Sequence, residues 1–161
     1  MDRLATTLVD TFTASGKTVA TAESCTGGWI AKKLTDVSGS SAVFGWGVVS
    51  YSNPAKASML GVAKETLEEH GAVSEAVVSE MAEGALRLSG ANIAVAVSGI
   101  AGPDGGTAEK PVGTVWFAWA IRNGSSIMVD TDLQRFDGDR DDVRAQTVVH
   151  ALTGIINNAS E

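Results

Sequence analysis

Apolar side chains along the chain alternate between helix-like and strand-like spacing, and this alternation predicts the order of the elements. Leu4, Leu8, Val9 and Phe12 recur every three or four positions, which predicts a first helix that ends at Ser15. Strands are predicted at about residues 18–23, 43–51, 92–98, 113–121 and 126–136. Further helices are predicted at about residues 26–37 and 64–70, and from about residues 54, 74 and 139 onward.

Two of the predicted strand regions decide the fold class. The run from Ile93 to Val97 is continuously apolar, which is typical of an internal strand covered on both faces. The pair Asn123 and Gly124 predicts a tight turn, so the last two strands form an antiparallel hairpin. The sequence therefore predicts a single three-layer α/β/α domain over residues 1–161, with a mixed, mainly parallel sheet closed by an antiparallel hairpin.

Composition narrows the possible environments and partners. The formal net charge of −7 argues against general nucleic-acid binding, and no apolar segment is long enough to span a membrane. Cys25 is a lone cysteine, which favours a reducing compartment such as the cytoplasm. With only His70 and His150 and no metal-binding spacing, a zinc site built by the protein is not expected.

Ser24 lies where the first predicted strand gives way to a helix. The first N–H groups of a helix lack partners within the helix, so a hydroxyl beside them can act as a nucleophile next to an oxyanion hole. Gly27 and Gly28 follow and would allow close approach of a ligand. The alternative is that Ser24 or Thr26 simply caps the helix.

Lys56 is predicted to lie in the first turn of a helix that starts with Asn53 as cap and Pro54 as the first helical residue. A positive charge is disfavoured at this end of a helix. The lysine is then either a solvated side chain that tolerates a small cost, or a general base with a lowered pKa. Tyr51 lies on the strand that leads into this helix.

A glycine-rich loop, residues 98–107, follows the internal strand. Such a loop after a buried strand is a common ligand site in an open α/β sheet, although a flexible connector has the same composition. Ser98 is a second candidate nucleophile, but its neighbours do not form the G-x-S-x-G pattern. Because Ser24 and this loop both follow strand ends, we expect them to line one cleft.

Five motifs in sequence order resemble the CinA C-terminal domain family, the nicotinamide-nucleotide amidohydrolases. They are residues 21–28 (TAESCTGG), 51–56 (YSNPAK), 71–74 (GAVS), 98–106 (SGIAGPDGG) and 110–114 (KPVGT). The resemblance extends over nearly the whole chain. It implies hydrolysis of the carboxamide of nicotinamide mononucleotide to nicotinic acid mononucleotide and ammonia, in pyridine nucleotide recycling, without a cofactor or metal.

The resemblance also implies residue roles. Family members use a serine, a lysine and a tyrosine, which correspond here to Ser24, Lys56 and Tyr51. The predicted substrate-binding residues are Cys25, Thr26, Gly27, Gly99, Gly102, Gly105, Gly106, Lys110 and Arg140, and Lys110 or Arg140 is expected to meet the phosphate. Many relatives carry an additional N-terminal domain, whereas this chain is expected to consist of the amidohydrolase domain alone. Self-association into a homo-oligomer is left open.

The expected mechanism follows from these roles. Ser24 attacks the carboxamide, Lys56 takes its proton as a neutral amine, and N–H groups at the start of the 26–37 helix hold the oxyanion. The Tyr51 hydroxyl is expected to reach both partners. Two alternatives stay open: a Ser–Lys hydrolase of another small amide, and a non-catalytic module that binds a nucleotide in the same cleft.

Overall fold

The computed structural model describes residues 1–159, which form both helices and strands. In chain order they are α1 (Asp2–Ser15), β1 (Val19–Glu23), α2 (Trp29–Thr35), a 3₁₀ turn (Ser40–Ala42), β2 (Phe44–Val49), α3 (Asn53–Leu60), α4 (Lys64–His70), α5 (Glu75–Ser89), β3 (Ile93–Gly99), β4 (Thr114–Asn123), β5 (Ser126–Arg135) and α6 (Arg140–Ala159). No helix within these residues is long and apolar enough to cross a bilayer.

The five strands form one open, mixed sheet in the order β2-β1-β3-β4-β5. β1 pairs in parallel with β2 and β3, while β4 pairs antiparallel with β3 and β5. As a result β2, β1, β3 and β5 point in one direction and β4 points in the other, which confirms the mainly parallel sheet. The hairpin forms one edge of the sheet. β3 is central, and its Ile93 and Val95 are buried as predicted.

One face of the sheet carries large apolar side chains and packs against α1, α2 and α6. Val95, Phe117 and Trp119 project from this face into a core that they share with residues of all three helices. α6 crosses this layer, and its long buried stripe brings the first turns of the helix to the carboxyl end of β1 and β3.

On the other face of the sheet, β1, β3 and β4 carry alanines, and this face packs against α5 together with α3 and α4. These side chains alternate along the strands with the large ones and are Ala20, Ala22, Ala94, Ala96, Ala118 and Ala120. Small side chains let α5 approach the sheet closely. The end of α3 also lies close to α5. A Cβ atom on Gly84 of α5 would overlap the carbonyl of Leu60, the last residue of α3. This crossing fixes α3, the helix that carries Lys56.

Two helix starts differ from the predictions. α2 begins at Trp29 rather than near residue 26, because Gly27 and Gly28 have positive φ angles of 61° and 95° and form a turn. α3 is capped by Ser52 rather than Asn53, and the Ser52 side chain accepts a hydrogen bond from the Ala55 N–H at 3.2 Å. Ser74 caps α5, which starts close to the predicted position.

Candidate active site

Ser24 directly follows β1, at the carboxyl end of the parallel strands. Its N–H donates to the carbonyl of Val97 at 3.2 Å, which ties the serine to the end of β3. The residue is 7% exposed. Neither Ser24 nor Thr26 caps α2, because Gly28 is the cap residue and makes no side-chain cap hydrogen bond. The Ser24 hydroxyl is therefore free for another role, and the simple capping interpretation is wrong.

Lys56 contacts that hydroxyl from the first turn of α3. Its Nζ lies 2.9 Å from Ser24 Oγ and donates to the carbonyls of Ser50 at 3.0 Å and Tyr51 at 3.2 Å. Lys56 is 1% exposed, so it is not a solvated surface lysine. Burial lowers the pKa of Lys56 from its ordinary value, because a buried ammonium loses its hydration.

The three oxygen partners of the Lys56 nitrogen can be satisfied by an ammonium or by a neutral amine, and the lowered pKa favours the neutral form. A neutral amine has two N–H bonds and one lone pair, whereas an ammonium has three N–H bonds and no acceptor site. In the neutral form the two carbonyls accept the two N–H bonds, and the lone pair is then left for the Ser24 O–H. The lysine can therefore act as the base that takes the serine proton.

Tyr51 lies at the same site but in a different arrangement from the expected one. It is 61% exposed, and its hydroxyl accepts a hydrogen bond from Arg140 Nη2 at 3.1 Å. Lys56 contacts the main-chain carbonyl of Tyr51, and residues 1–159 show no hydrogen bond from the tyrosine hydroxyl to Ser24 or Lys56. The expectation that this hydroxyl joins the two catalytic partners is therefore not met in this structure.

Ser24 and Lys56 line a cavity of about 290 Å³ that the glycine-rich loop also lines. The residues around it include Ser24, Cys25, Tyr51, Lys56, Ser98, Gly99, Gly102, Asp104, Gly105 and Arg140. Ser24 and the loop thus line one cleft, as the strand directions led us to expect. Arg140 also donates to the carbonyl of Gly102 at 2.6 Å, which fixes the loop to the start of α6.

Three positions in the loop are occupied by glycine because neighbouring residues leave no room for a side chain. A Cβ atom on Gly99 would approach Val115 Cγ2 to 2.6 Å, one on Gly102 would approach Val112 Cγ1 to 2.5 Å, and one on Gly106 would approach the Val112 nitrogen to 2.7 Å. The glycines therefore let the loop lie against the start of β4. The sequence interpretation, in which the glycines make room for a ligand, did not include this packing.

Comparison with known proteins gives the same family as the motifs. The family model described as CinA C-terminal domain matches residues 1–159. The chain belongs to the CinA C-terminal domain family. The Nicotinamide-nucleotide amidohydrolase PncC of Escherichia coli strain K12 is 62% identical over 139 residues, which cover 86% of this chain and 82% of that protein.

Two further proteins are similar to this chain over nearly its whole length. The Nicotinamide-nucleotide amidohydrolase PncC of Pseudomonas putida is 51% identical over 158 residues, covering 98% of this chain and 96% of that protein. The crystal structure of the competence damage-inducible protein A (ComA) from Klebsiella pneumoniae subsp. pneumoniae MGH 78578 superposes with a TM-score of 0.94. It is 42% identical and covers 99% of this chain and 97% of its own.

Sequence reasoning missed a buried acid in this CinA C-terminal domain. Glu23 is fully buried one residue before the nucleophile, and its carboxylate accepts the N–H groups of Ile30 at 2.8 Å and Ala31 at 3.0 Å and the Thr26 hydroxyl at 2.7 Å. The first N–H groups of α2 are thus occupied and face a negative charge. These N–H groups are therefore not available for an oxyanion hole, which leaves the N–H groups of the turn before the helix as the candidate donors. The feature of the sequence that could have revealed Glu23 is an acidic residue at the end of a mainly apolar strand.

Several of the predicted substrate-binding residues do not line the cavity. Lys110 donates to the carbonyl of His70 at 2.9 Å and does not line the cavity, so it fastens the loop before α5 instead. Gly106, Thr26 and Gly27 also do not line it. Cys25 does, but burial raises the pKa of its thiol to about 12, so the thiol stays protonated at neutral pH and does not compete as a nucleophile.

A larger cavity of the CinA C-terminal domain lies at the opposite end of the sheet. It has a volume of about 590 Å³ and is lined by Lys17 and Arg122 among others. Both cations are already bonded to main-chain carbonyls, Lys17 to Ala159 and Arg122 to Ala91 and Leu86. Within residues 1–159 no group of three or more His, Cys, Asp or Glu side chains is placed to hold a metal ion. The predicted nucleophile, Ser24, and the predicted base, Lys56, line the smaller cavity, which is therefore the candidate active site.

Proposed function

We propose that this chain is a nicotinamide-nucleotide amidohydrolase, which hydrolyses the carboxamide of nicotinamide mononucleotide to nicotinic acid mononucleotide and ammonia. The observation that carries the proposal is the buried contact of 2.9 Å between Ser24 Oγ and Lys56 Nζ at the base of a cavity. The printed names of relatives at 62% and 51% identity support the same substrate. The cytoplasm, where pyridine nucleotides are recycled, is the compartment we expect.

The first half of the reaction transfers the acyl group to the serine. Ser24 Oγ forms a bond to the carboxamide carbon while its proton passes to the neutral Lys56 amine. The tetrahedral intermediate then collapses, the C–N bond breaks, and Lys56 returns the proton to the departing nitrogen, which leaves as ammonia. An ester between the nicotinoyl group and Ser24 remains.

The second half of the reaction hydrolyses this ester. A water molecule gives a proton to Lys56 and attacks the ester carbon, and the proton then returns to Ser24 Oγ as the acid product leaves. One lysine serves both halves, because it is neutral at the start of each. Its burial lowers the pKa of Lys56, which favours the neutral amine that this cycle needs.

The charges around the cavity suit a nucleotide that carries both signs. Arg140 lines the cavity and is the cation we assign to the substrate phosphate, whereas Lys110 does not line it. Asp104, on the glycine-rich loop, also lines the cavity, and we assign its carboxylate to the positively charged pyridinium ring of the substrate. The tetrahedral oxyanion needs N–H donors near Ser24, and we assign them to the turn formed by Cys25 and Thr26.

The test is an assay of ammonia release from nicotinamide mononucleotide, with nicotinamide and nicotinamide riboside as control substrates. We expect turnover of the mononucleotide, which is lost in Ser24→Ala although its melting temperature stays near that of the wild type. Turnover of another amide but not of the mononucleotide would overturn the substrate assignment. Binding of the mononucleotide by calorimetry without any ammonia release would overturn the enzymatic proposal in favour of a nucleotide-binding module.

A further inference from the structure

Arg144 on α6 binds the turn that immediately follows the nucleophile. Its Nε donates to the carbonyl of Cys25 at 3.1 Å, and its Nη2 donates to the carbonyl of Thr26 at 3.2 Å. Arg144 does not line the cavity that contains Ser24. It therefore holds two consecutive peptide groups of the turn from the side opposite the substrate.

The orientation of the carbonyls fixes the orientation of an N–H group. In a trans peptide the C=O and N–H bonds point in opposite directions, and the peptide between Cys25 and Thr26 is trans. Because the Cys25 carbonyl points toward Arg144, the Thr26 N–H points away from it. Within residues 1–159 this N–H has no hydrogen bond to an acceptor, whereas the next one, of Gly27, donates to the Ser24 carbonyl at 3.1 Å.

The arginine is itself held in place. Its guanidinium carbon lies 5.4 Å from the centre of the Trp29 ring, which is within the range of a cation–π contact. Nη1 is 3.5 Å from Asp141 Oδ1. On the other side of the turn, the Thr26 hydroxyl donates to the buried Glu23 at 2.7 Å. The turn thus has a fixed support on both sides before any substrate binds.

We propose that Arg144 is a positioning residue that holds the turn of Cys25 and Thr26, of which Cys25 lines the cavity, so that the N–H groups of this turn are placed to donate to the tetrahedral oxyanion. The inference rests on the proposed function, since the oxyanion arises only when Ser24 attacks an acyl group. Arg144 acts through geometry and through charge. A cation that binds a carbonyl polarises its peptide group, so the N–H at the other end becomes a stronger donor.

The first experiment compares Arg144→Ala and Arg144→Lys with the wild type, and uses Arg87→Ala as the matched control. Arg87 lies on α5 and forms a surface ion pair with Glu83 at 3.2 Å. Loss of an oxyanion donor itself costs about 10²- to 10³-fold in kcat, so loss of its support is expected to cost about 10- to 100-fold. KM should stay within about two-fold, because the interaction forms only in the transition state.

Arg144→Lys separates a positioning role from a merely structural one. It keeps the positive charge but cannot bind both carbonyls as a planar fork, so its kcat should fall between those of the wild type and Arg144→Ala. The Arg144 side chain is 28% exposed, so added guanidinium ion can enter the space left in Arg144→Ala. We expect guanidinium to raise the kcat of Arg144→Ala and to leave that of Arg87→Ala unchanged. If Arg144→Ala unfolds below the assay temperature, Arg144→Lys carries the test.

A second readout distinguishes failure of this inference from failure of the proposed function. The rate at which a fluorophosphonate labels Ser24 also depends on an oxyanion donor, but not on the identity of the amide substrate. We expect slower labelling in both Arg144 variants, even if the wild type does not hydrolyse nicotinamide mononucleotide. Unchanged labelling and unchanged kcat in Arg144→Ala, or a change confined to KM, would overturn the role assigned to Arg144.

Discussion

Replacement of Lys56 by methionine tests the central feature of the site, a buried amine beside the nucleophile. Methionine has a similar length and no charge, so Lys56→Met removes the base while it keeps most of the volume in a position that is 1% exposed. The Ser24 hydroxyl then loses its only nitrogen partner among residues 1–159, at 2.9 Å. We expect the variant to fold and to lose turnover.

The magnitude follows from what a positioned base contributes. General base catalysis accounts for about 10²- to 10⁴-fold in rate, and we expect kcat of Lys56→Met to fall by that amount at neutral pH. Since Ser24 and Lys56 act as a unit, the double variant with Ser24→Ala should lose little more than either single variant.

The pH dependence gives a second, independent measure. Lys56 must be neutral to act as a base, so the activity of the wild type should rise with pH through the lowered pKa of Lys56 and then level off. This rise should lie below about pH 10.4, the pKa of a free lysine. The rise should be absent from the residual activity of Lys56→Met.

The stability of the fold should also depend on pH through Lys56. Burial disfavours the charged lysine in the folded state, so the wild type is destabilised below the folded pKa of Lys56 and gains stability as the pH rises toward the unfolded value. Between these two pKa values the gain is at most about 1.4 kcal/mol per pH unit, for one proton. The stability of Lys56→Met relative to the wild type should therefore decrease as the pH is raised in this window.

The assay is ammonia release across a pH series, with urea unfolding at the same pH values. Lys32→Met is the control, because Lys32 is exposed and paired with Asp36 at 2.8 Å, and it should match the wild type in activity. Near-normal hydrolysis by Lys56→Met at neutral pH, or an unchanged pH profile in that variant, would refute the assignment of Lys56 as the base.

Three further substitutions test other parts of the structure. Tyr51→Phe should raise KM more than it lowers kcat, because the lost hydroxyl bonds Arg140 at 3.1 Å rather than the catalytic pair; steady-state kinetics measure this. Glu23→Gln should lower the free energy of unfolding by about 1.5–3 kcal/mol in urea titrations, since the charged acceptor at the start of α2 is lost. Gly154→Ala should cost about 1–3 kcal/mol, seen as a lower melting temperature, because the added carbon overlaps the Trp119 ring.

Each of these substitutions has a result that contradicts its reasoning. A loss of kcat in Tyr51→Phe as large as that in Ser24→Ala would show that the hydroxyl does reach the catalytic pair. An unchanged unfolding free energy in Glu23→Gln would show that its charge adds nothing to the neutral acceptor. Gly45→Ala is the control for Gly154→Ala, since nothing lies within 4 Å of its added carbon, and equal melting temperatures of the two variants would refute the packing argument.

The local pattern of the sequence was sufficient for the elements, whereas for Ser24 and Lys56 it left a structural alternative open beside the catalytic role, which the family resemblance supplied. Apolar spacing placed the helices and strands, and the unbroken run at Ile93 and Val95 placed the central strand, because burial on both faces requires apolar residues at every position. The glycine-rich loop and Ser24 could be predicted to share a cleft for a similar reason. Both follow parallel strands, whose carboxyl ends meet at one edge of the sheet.

Contacts between distant segments decided the rest, because no local pattern encodes them. Burial of Lys56 depends on the close crossing of α3 with α5, and this burial lowers its pKa. Arg144 reaches the nucleophile turn from a helix 119 residues further along the chain. The sequence by itself determined which side chains are available to react, whereas the packing of the layers determined which of them has a lowered pKa, which is held in place and which faces the solvent.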